Sequence, residues 1–248
     1  MVKRRELRSK PTIFAYYDDE STGATEFRRL ARNVRHRGNP SEIRSVLVTS
    51  ATKHEGKSLT AANLAISIAK RENDKVVLLI DCDLRRPIIH SLFDKQIEPG
   101  LASLLAGEVE PDDVAHDTEL DNLKVITSGR VVDSPSYLLA GAKDALEKCR
   151  EKFDVLICDA PPVVPVDDVG ALGPYVDGVL LVVLAGKTDR MVVKRAIDIL
   201  GDIRAKVLGI ALNNLHGTLP YYYDYKYYRY RYERKELPKE ENGTPSEG

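Results

Sequence analysis

Residues 45–70 read SVLVTSATKHEGKSLTAANLAISIAK: an apolar β-type run, a loop ending Gly56-Lys57-Ser58, and an Ala/Leu/Ile-rich segment of helical character. That order of strand, loop and helix is the one a nucleotide phosphate loop uses. Gly56 lets the backbone approach a phosphate closely, Lys57 supplies a point charge for the β and γ oxygens, and the Ser58 hydroxyl is placed to hold Mg²⁺. The helix starting near Ser58 aims its unpaired amides and its dipole at the same anion. Nucleotide contacts are therefore expected along Ala51, Thr52, Lys53, His54, Glu55, Gly56, Lys57, Ser58 and Leu59. The pattern GxxxxGK[ST] has glycine at its first position, where this chain has Ala51.

Working outward, residues 76–87 (VVLLIDCDLRRP) and 154–162 (DVLICDAPP) are buried-type strands that end on aspartate. Parallel strands wrapped by helices are apolar throughout, so an acid at the carboxyl end marks the edge where ligands bind. Alternate strand residues share a face, which lets Asp81 and Asp83 point towards one metal-phosphate site. Asp159 arrives from the other strand, and Pro161-Pro162 then stops both helix and ladder.

A chain of 248 residues buries one substantial α/β core. The net charge of −1 and pI near 6.5 argue against a general nucleic-acid binder. Residues 1–10 carry five basic side chains and one acidic, a local balance of +4, which reads as a solvated terminus or a weak attraction to anionic lipid. No apolar stretch approaches the roughly 20 residues that span a bilayer, and no signal peptide is recognised, so a cytosolic protein is expected. Cys82, Cys149 and Cys158 lack metal-site spacing and read as reduced core residues.

Three parts are expected: a flexible lead-in over 1–23, a phosphate-loop domain over 24–219, and a tyrosine-rich tail with a disordered end over 220–248. From Thr25, Phe27, Leu30 and Val34 share one helix face, with Glu26, Arg29 and Arg32 around the other. Residues 87–107 read as loop and short helices, 123–127 as a strand, and 137–153 as a helix leading into the strand that bears Asp159. Residues 178–184 and 207–213 are strands, with a helix over 187–203 between them. Asn213 ends the last strand and either reads adenine or caps a turn. The alternation predicts a mostly parallel sheet flanked by helices on both faces.

Eight of the chain's twelve tyrosines lie in residues 221–232, at Tyr221, Tyr222, Tyr223, Tyr225, Tyr227, Tyr228, Tyr230 and Tyr232. Arg and Lys interleave with the rings, so single-stranded nucleic acid is one reading, disfavoured because no basic groove accompanies it. Exposed phenols on a mobile tether are also substrates for a phosphoryl-transfer site. Eight modified tyrosines would shift the tail by on the order of −12 to −16 charges.

Taken together, the Gly-Lys-Ser loop, the Asp81/Asp83/Arg85 motif, the strand ending Asp159-Ala160-Pro161-Pro162 and the tyrosine cluster resemble the bacterial tyrosine kinases of capsular and exopolysaccharide synthesis. The phosphate-loop motifs are shared with MinD/ParA-type ATPases, so an ATPase without kinase activity is the alternative. Departures from the kinase pattern are Lys53-His54 in place of Pro-Gly, Thr52 at the position of the MinD/ParA signature lysine, and Ala160 in place of threonine. The resemblance implies an ATP- and Mg²⁺-dependent autokinase. Lys57 neutralises phosphates; Ser58, Asp83 and Asp159 hold the metal; Asp81 orients or deprotonates the phenol or joins the metal; Arg85 contacts the acceptor or a neighbouring subunit. It further implies a homo-oligomeric ring packed through Glu26, Arg29 and Arg32, a membrane adaptor of the polysaccharide co-polymerase type, and a cognate tyrosine phosphatase. The location implied is peripheral, at the inner face of the plasma membrane.

Overall fold

The structure, a computed structural model, describes residues 11–35, 43–132 and 135–214. The chain divides into two units, Met1–Asn213 and Asn214–Gly248, and all the elements below belong to the first. In order these are α1 (Thr22–Arg35), β1 (Ser45–Ser50), α2 (Lys57–Arg71), β2 (Val77–Asp81), α3 (Ile89–Leu92), α4 (Leu101–Leu105), α5 (Pro111–Val114), β3 (Ala115–Asp117) and β4 (Leu123–Ile126). They continue with α6 (Ser136–Leu139), α7 (Ala142–Lys152), β5 (Val155–Asp159), α8 (Asp168–Leu172), β6 (Gly178–Leu184), α9 (Arg190–Asp202) and β7 (Val207–Asn213).

The strands form one seven-stranded sheet in the order β3-β4-β2-β5-β1-β6-β7, parallel except for the β3–β4 pair. Every residue of β1, β2 and β5 is buried, as a sheet covered on both faces requires. Successive residues serve opposite cores. Leu47, Leu78 and Leu156 pack with α4, α6, α7 and α9, while Val46, Val48 and Leu79 pack against α1 and α2. The aspartates that close β2 and β5 are direct neighbours, Asp81 pairing in register with Asp159. The carboxyl ends of β1, β2 and β5 thus stand side by side.

Three expectations change. The 137–153 helix is two, broken before Gly141, where a Cβ would stand 2.3 Å from the Leu105 carbonyl oxygen. The chain passes too close to α4 for any side chain there. The short antiparallel β3 carries no strand signal in its Ala-His-Asp sequence. The described part of the lead-in is not loose: Ile13 is buried, and the Phe14 ring meets Phe93 edge-on at 5.7 Å. Lys70 sits 4.7 Å above the Tyr17 ring, and α1 begins at Thr22, with the Ser21 hydroxyl accepting from the Ala24 amide.

Candidate active site

The phosphate loop leaves β1 beneath the segment that follows β5. The Val163 amide donates to the Ser50 carbonyl at 2.8 Å and the Thr49 hydroxyl to the Pro161 carbonyl at 2.6 Å. Ala51 is fully buried there, and the loop's left-handed positions are His54 (φ 64°) and Gly56 (φ 87°). Alanine at 51 therefore meets no backbone strain. Gly56 is required twice over. Its φ suits glycine, and a Cβ would lie 2.2 Å from the Asn213 side-chain nitrogen.

Glu55, expected among the nucleotide contacts, is 2% exposed and turned away from the cavity. Its Oε2 accepts from the Thr52 amide at 2.7 Å, and its Oε1 accepts from the Thr188 hydroxyl and, at 3.5 Å, the Leu184 amide. Asn213 donates its side-chain amide to the Glu55 carbonyl at 3.0 Å, and its own carbonyl accepts from Ala185. The loop is in this way fastened to the ends of β6 and β7. An acid within a phosphate loop has to be directed away from the anion, and that was the signal for this role. Lys53, His54 and Leu59 remain exposed around the rim.

Lys57, at the first turn of α2, extends towards β2 and β5. Its Nζ lies 2.8 Å from Asp83 Oδ2, 3.4 Å from Asp159 Oδ1 and 3.3 Å from Ser58 Oγ. Burial works against the ammonium, but Asp159, Asp83 and Asp81 together outweigh it and raise its pKa. Asp159 is fully buried, and burial pushes its carboxyl up to about 6, with Lys57 and Ser58 pulling the other way. Burial and the neighbouring Asp159 charge push Asp81 up to about 8.

Asp81 lies behind the cavity rather than on its lining. Its Oδ1 accepts from the Asp83 amide at 3.2 Å, and its Oδ2 from the Ile88 and Ile89 amides at 3.1 and 3.0 Å. Both oxygens hold backbone amides of the segment after β2, so Asp81 shapes that segment. Asp83 lines the cavity in its place. Arg85 forms a two-point pair with the buried Asp168, Nε to Oδ2 at 2.8 Å and a terminal nitrogen to Oδ1 at 2.9 Å. Asp168 gave no sign in the sequence of being this partner, because 83 residues separate the two.

These groups border a cavity of about 630 Å³ that reaches from Lys57 and Ser58 to Ile88 and Pro165. Among the described residues no three His, Cys, Asp or Glu side chains gather as a metal cage. Mg²⁺ needs only one or two carboxylates beside phosphate oxygens and water. Asp159 Oδ2, buried and without a partner, together with the Ser58 hydroxyl bonded to the same carboxylate, is a donor set that fits. Glu26, Arg29 and Arg32 lie on α1, outside this cavity, with Arg29 bonded to Glu26 at 2.6 Å. The tyrosines of 221–232 lie outside the described residues.

Comparison with known proteins places this geometry in a family. Residues 50–188 match the family model described as AAA domain. Tyrosine-protein kinase YwqD of Bacillus subtilis is 32% identical over 228 residues, covering 91% of this chain and 94% of that protein. The kinase domain of the Escherichia coli tyrosine kinase Etk is similar in structure, with a TM-score of 0.77 and 29% identity over 86% of this chain and 84% of that one. The cell division ATPase MinD of Pyrococcus furiosus shares the fold at 23% identity, with a TM-score of 0.59 over 68% and 71% of the two chains. The chain belongs to the bacterial tyrosine-protein kinases.

Proposed function

We propose that this chain is an ATP- and Mg²⁺-dependent tyrosine autokinase that modifies its own tyrosine cluster and thereby regulates synthesis and export of a capsular or extracellular polysaccharide. The observation that carries the reading is the meeting of Lys57, Ser58, Asp83 and Asp159 at one sheet edge beside an open cavity. Lys57 and the loop amides neutralise the β and γ phosphates, and on ATP binding the ammonium exchanges its carboxylate partners for phosphate oxygens. Ser58 and Asp159 would hold Mg²⁺, with Asp83 close by on the cavity face, and the metal would supply further charge neutralisation. The phenol oxygen forms the new bond to the γ phosphorus as the bond to the β–γ bridging oxygen breaks, and ADP leaves. A phenol with pKa near 10 is a poor nucleophile at neutral pH, so its proton passes to Asp83, the acid on the cavity face.

The domain over 24–219 carries out the chemistry, and the 220–248 tail supplies acceptors. Glu26, Arg29 and Arg32 pack subunits into a ring, so that each tail enters a neighbour's site; accumulated phosphate charge then drives the ring apart. Among the described residues no helix is long and apolar enough to cross a membrane. A separate membrane adaptor of the co-polymerase type recruits the kinase to the inner membrane face, and a phosphatase resets it.

Intact-mass analysis after incubation with Mg²⁺-ATP tests this reading. Wild type gains a phosphate ladder confined to 221–232, and Lys57→Met gains none. Labelling that survives Lys57→Met removes the assigned site. A nucleotide-dependent rise in melting temperature with no ladder in wild type leaves an ATPase of the MinD kind instead.

A further inference from the structure

The cavity has two characters. Its floor is charged, with Lys57 and Asp83, and Lys53, Arg85 and Arg86 stand at its rim, but two stretches of its lining are apolar: Pro87-Ile88 after β2, and the buried Pro162 with Pro165-Val166 after β5. Ile88 is 45% exposed, in direct continuity with buried ionic groups. Phosphate chemistry gains from the cations but nothing from the two apolar stretches, and binding sites place apolar walls where an apolar part of the ligand sits.

The walls are also held in position. Asp81 grips the first through the Ile88 and Ile89 amides. The Arg85–Asp168 pair ties the start of the first segment to the residue two places beyond Val166. A two-point guanidinium–carboxylate pair fixes orientation as well as distance, so the separation of the walls is set by a charged strut.

We propose that Pro87, Ile88, Pro162, Pro165 and Val166 form a slot for the aromatic ring of the acceptor tyrosine, and that this slot, rather than the charged floor, selects tyrosine over serine and threonine. This rests on the kinase reading above. The ring passes between the walls and carries its hydroxyl, at the far end, to the Lys57–Asp83 floor. A serine or threonine hydroxyl, one carbon from the backbone, stops at the rim. Arg85, Asp168 and Asp81 are positioning residues that act through the walls.

The test uses the full-length Lys57→Met protein as phosphate acceptor, with wild type, Ile88→Ala and Val166→Phe as kinases. A peptide of residues 221–232 with every tyrosine replaced by phenylalanine serves as inhibitor, since it has the ring and lacks the nucleophile. With wild type the phenylalanine peptide competes with the acceptor and leaves the KM for ATP unchanged. Ile88→Ala raises, and Val166→Phe raises further, both the acceptor KM and the inhibition constant, by about tenfold or more, the scale of a lost apolar contact in a pocket. Nucleotide affinity, read by titration with a fluorescent ADP analogue, stays at the wild-type value in both.

The slot is overturned if the phenylalanine peptide fails to inhibit wild type, if the variants keep the wild-type acceptor KM, or if nucleotide affinity falls in step with transfer. If wild type binds nucleotide but labels no tyrosine, the kinase reading itself fails and takes the slot with it.

Discussion

Asp159 is fully buried, with Oδ1 on Lys57 and Oδ2 without a partner. Its carboxyl, raised to about 6, and that of Asp81, raised to about 8, bind protons more tightly folded than at the ordinary value of 3.8. Stability from these protons is complete below that value and is lost as pH climbs through about 6 and then about 8. Nucleotide-free Asp159→Asn should therefore melt higher than wild type at pH 8, by ~1–3 kcal/mol, while losing transferase activity. Thermal melts from pH 4 to 8 check this, and a gap that fails to shrink towards pH 4 sinks it. Glu55 gives a second prediction. Glu55→Ala leaves the Thr52 and Leu184 amides without their acceptor, costing about 1–3 kcal/mol and loosening the loop enough to weaken nucleotide binding. Glu55→Gln, which keeps one oxygen, should fall between in both melting and titration, and equal losses would deny the fastening role. Lys57, Ser58, Asp83 and Asp159 were legible because each sits in a local motif at a strand or helix end. The wall-holding of Asp81 was not, since it depends on amides seven and eight residues on, and for Glu55 the sequence offered only that an acid in a phosphate loop turns from the anion, not which groups receive it.

Strands and the long helices followed from hydrophobic pattern, since a covered parallel sheet leaves apolar runs that nothing else explains. The bounds of β6 and β7 came out as read, 178–184 and 207–213. What pattern could not give was spatial closeness. The break before Gly141 answers to α4, and Arg85 answers to α8. The pair between the segment after β2 and α8 can be probed directly. Arg85→Ala leaves Asp168, 4% exposed, without its counter-ion. Because the arginine is itself 30% exposed, the cost should be about 1–3 kcal/mol, below the full value for a buried pair. Arg85→Lys restores charge without the fork and should recover part of it in chemical denaturation. If lysine and alanine behave alike, the two-point geometry is irrelevant.

At the scale of the molecule, the order β3-β4-β2-β5-β1-β6-β7 brings the ends of β1, β2 and β5 together although their residues are far apart in the chain. Since the candidate site groups among the described residues lie between residues 51 and 213, a chain ending at Asn214 should bind nucleotide as wild type does. It should show no self-labelling, yet still label the full-length Lys57→Met protein. Mass spectrometry and nucleotide titration check both halves, and loss of nucleotide binding in this truncation would contradict the division. Removing β7 as well should abolish binding, because Asn213 braces the backbone at Glu55 and occupies the space beside Gly56. That brace bears on biosynthesis. A nascent chain still on the ribosome cannot complete its phosphate loop until position 213 has emerged. The tyrosine-rich stretch of 221–232 follows that position closely in the chain, so the loop at Gly56 closes as that stretch is itself leaving the ribosome.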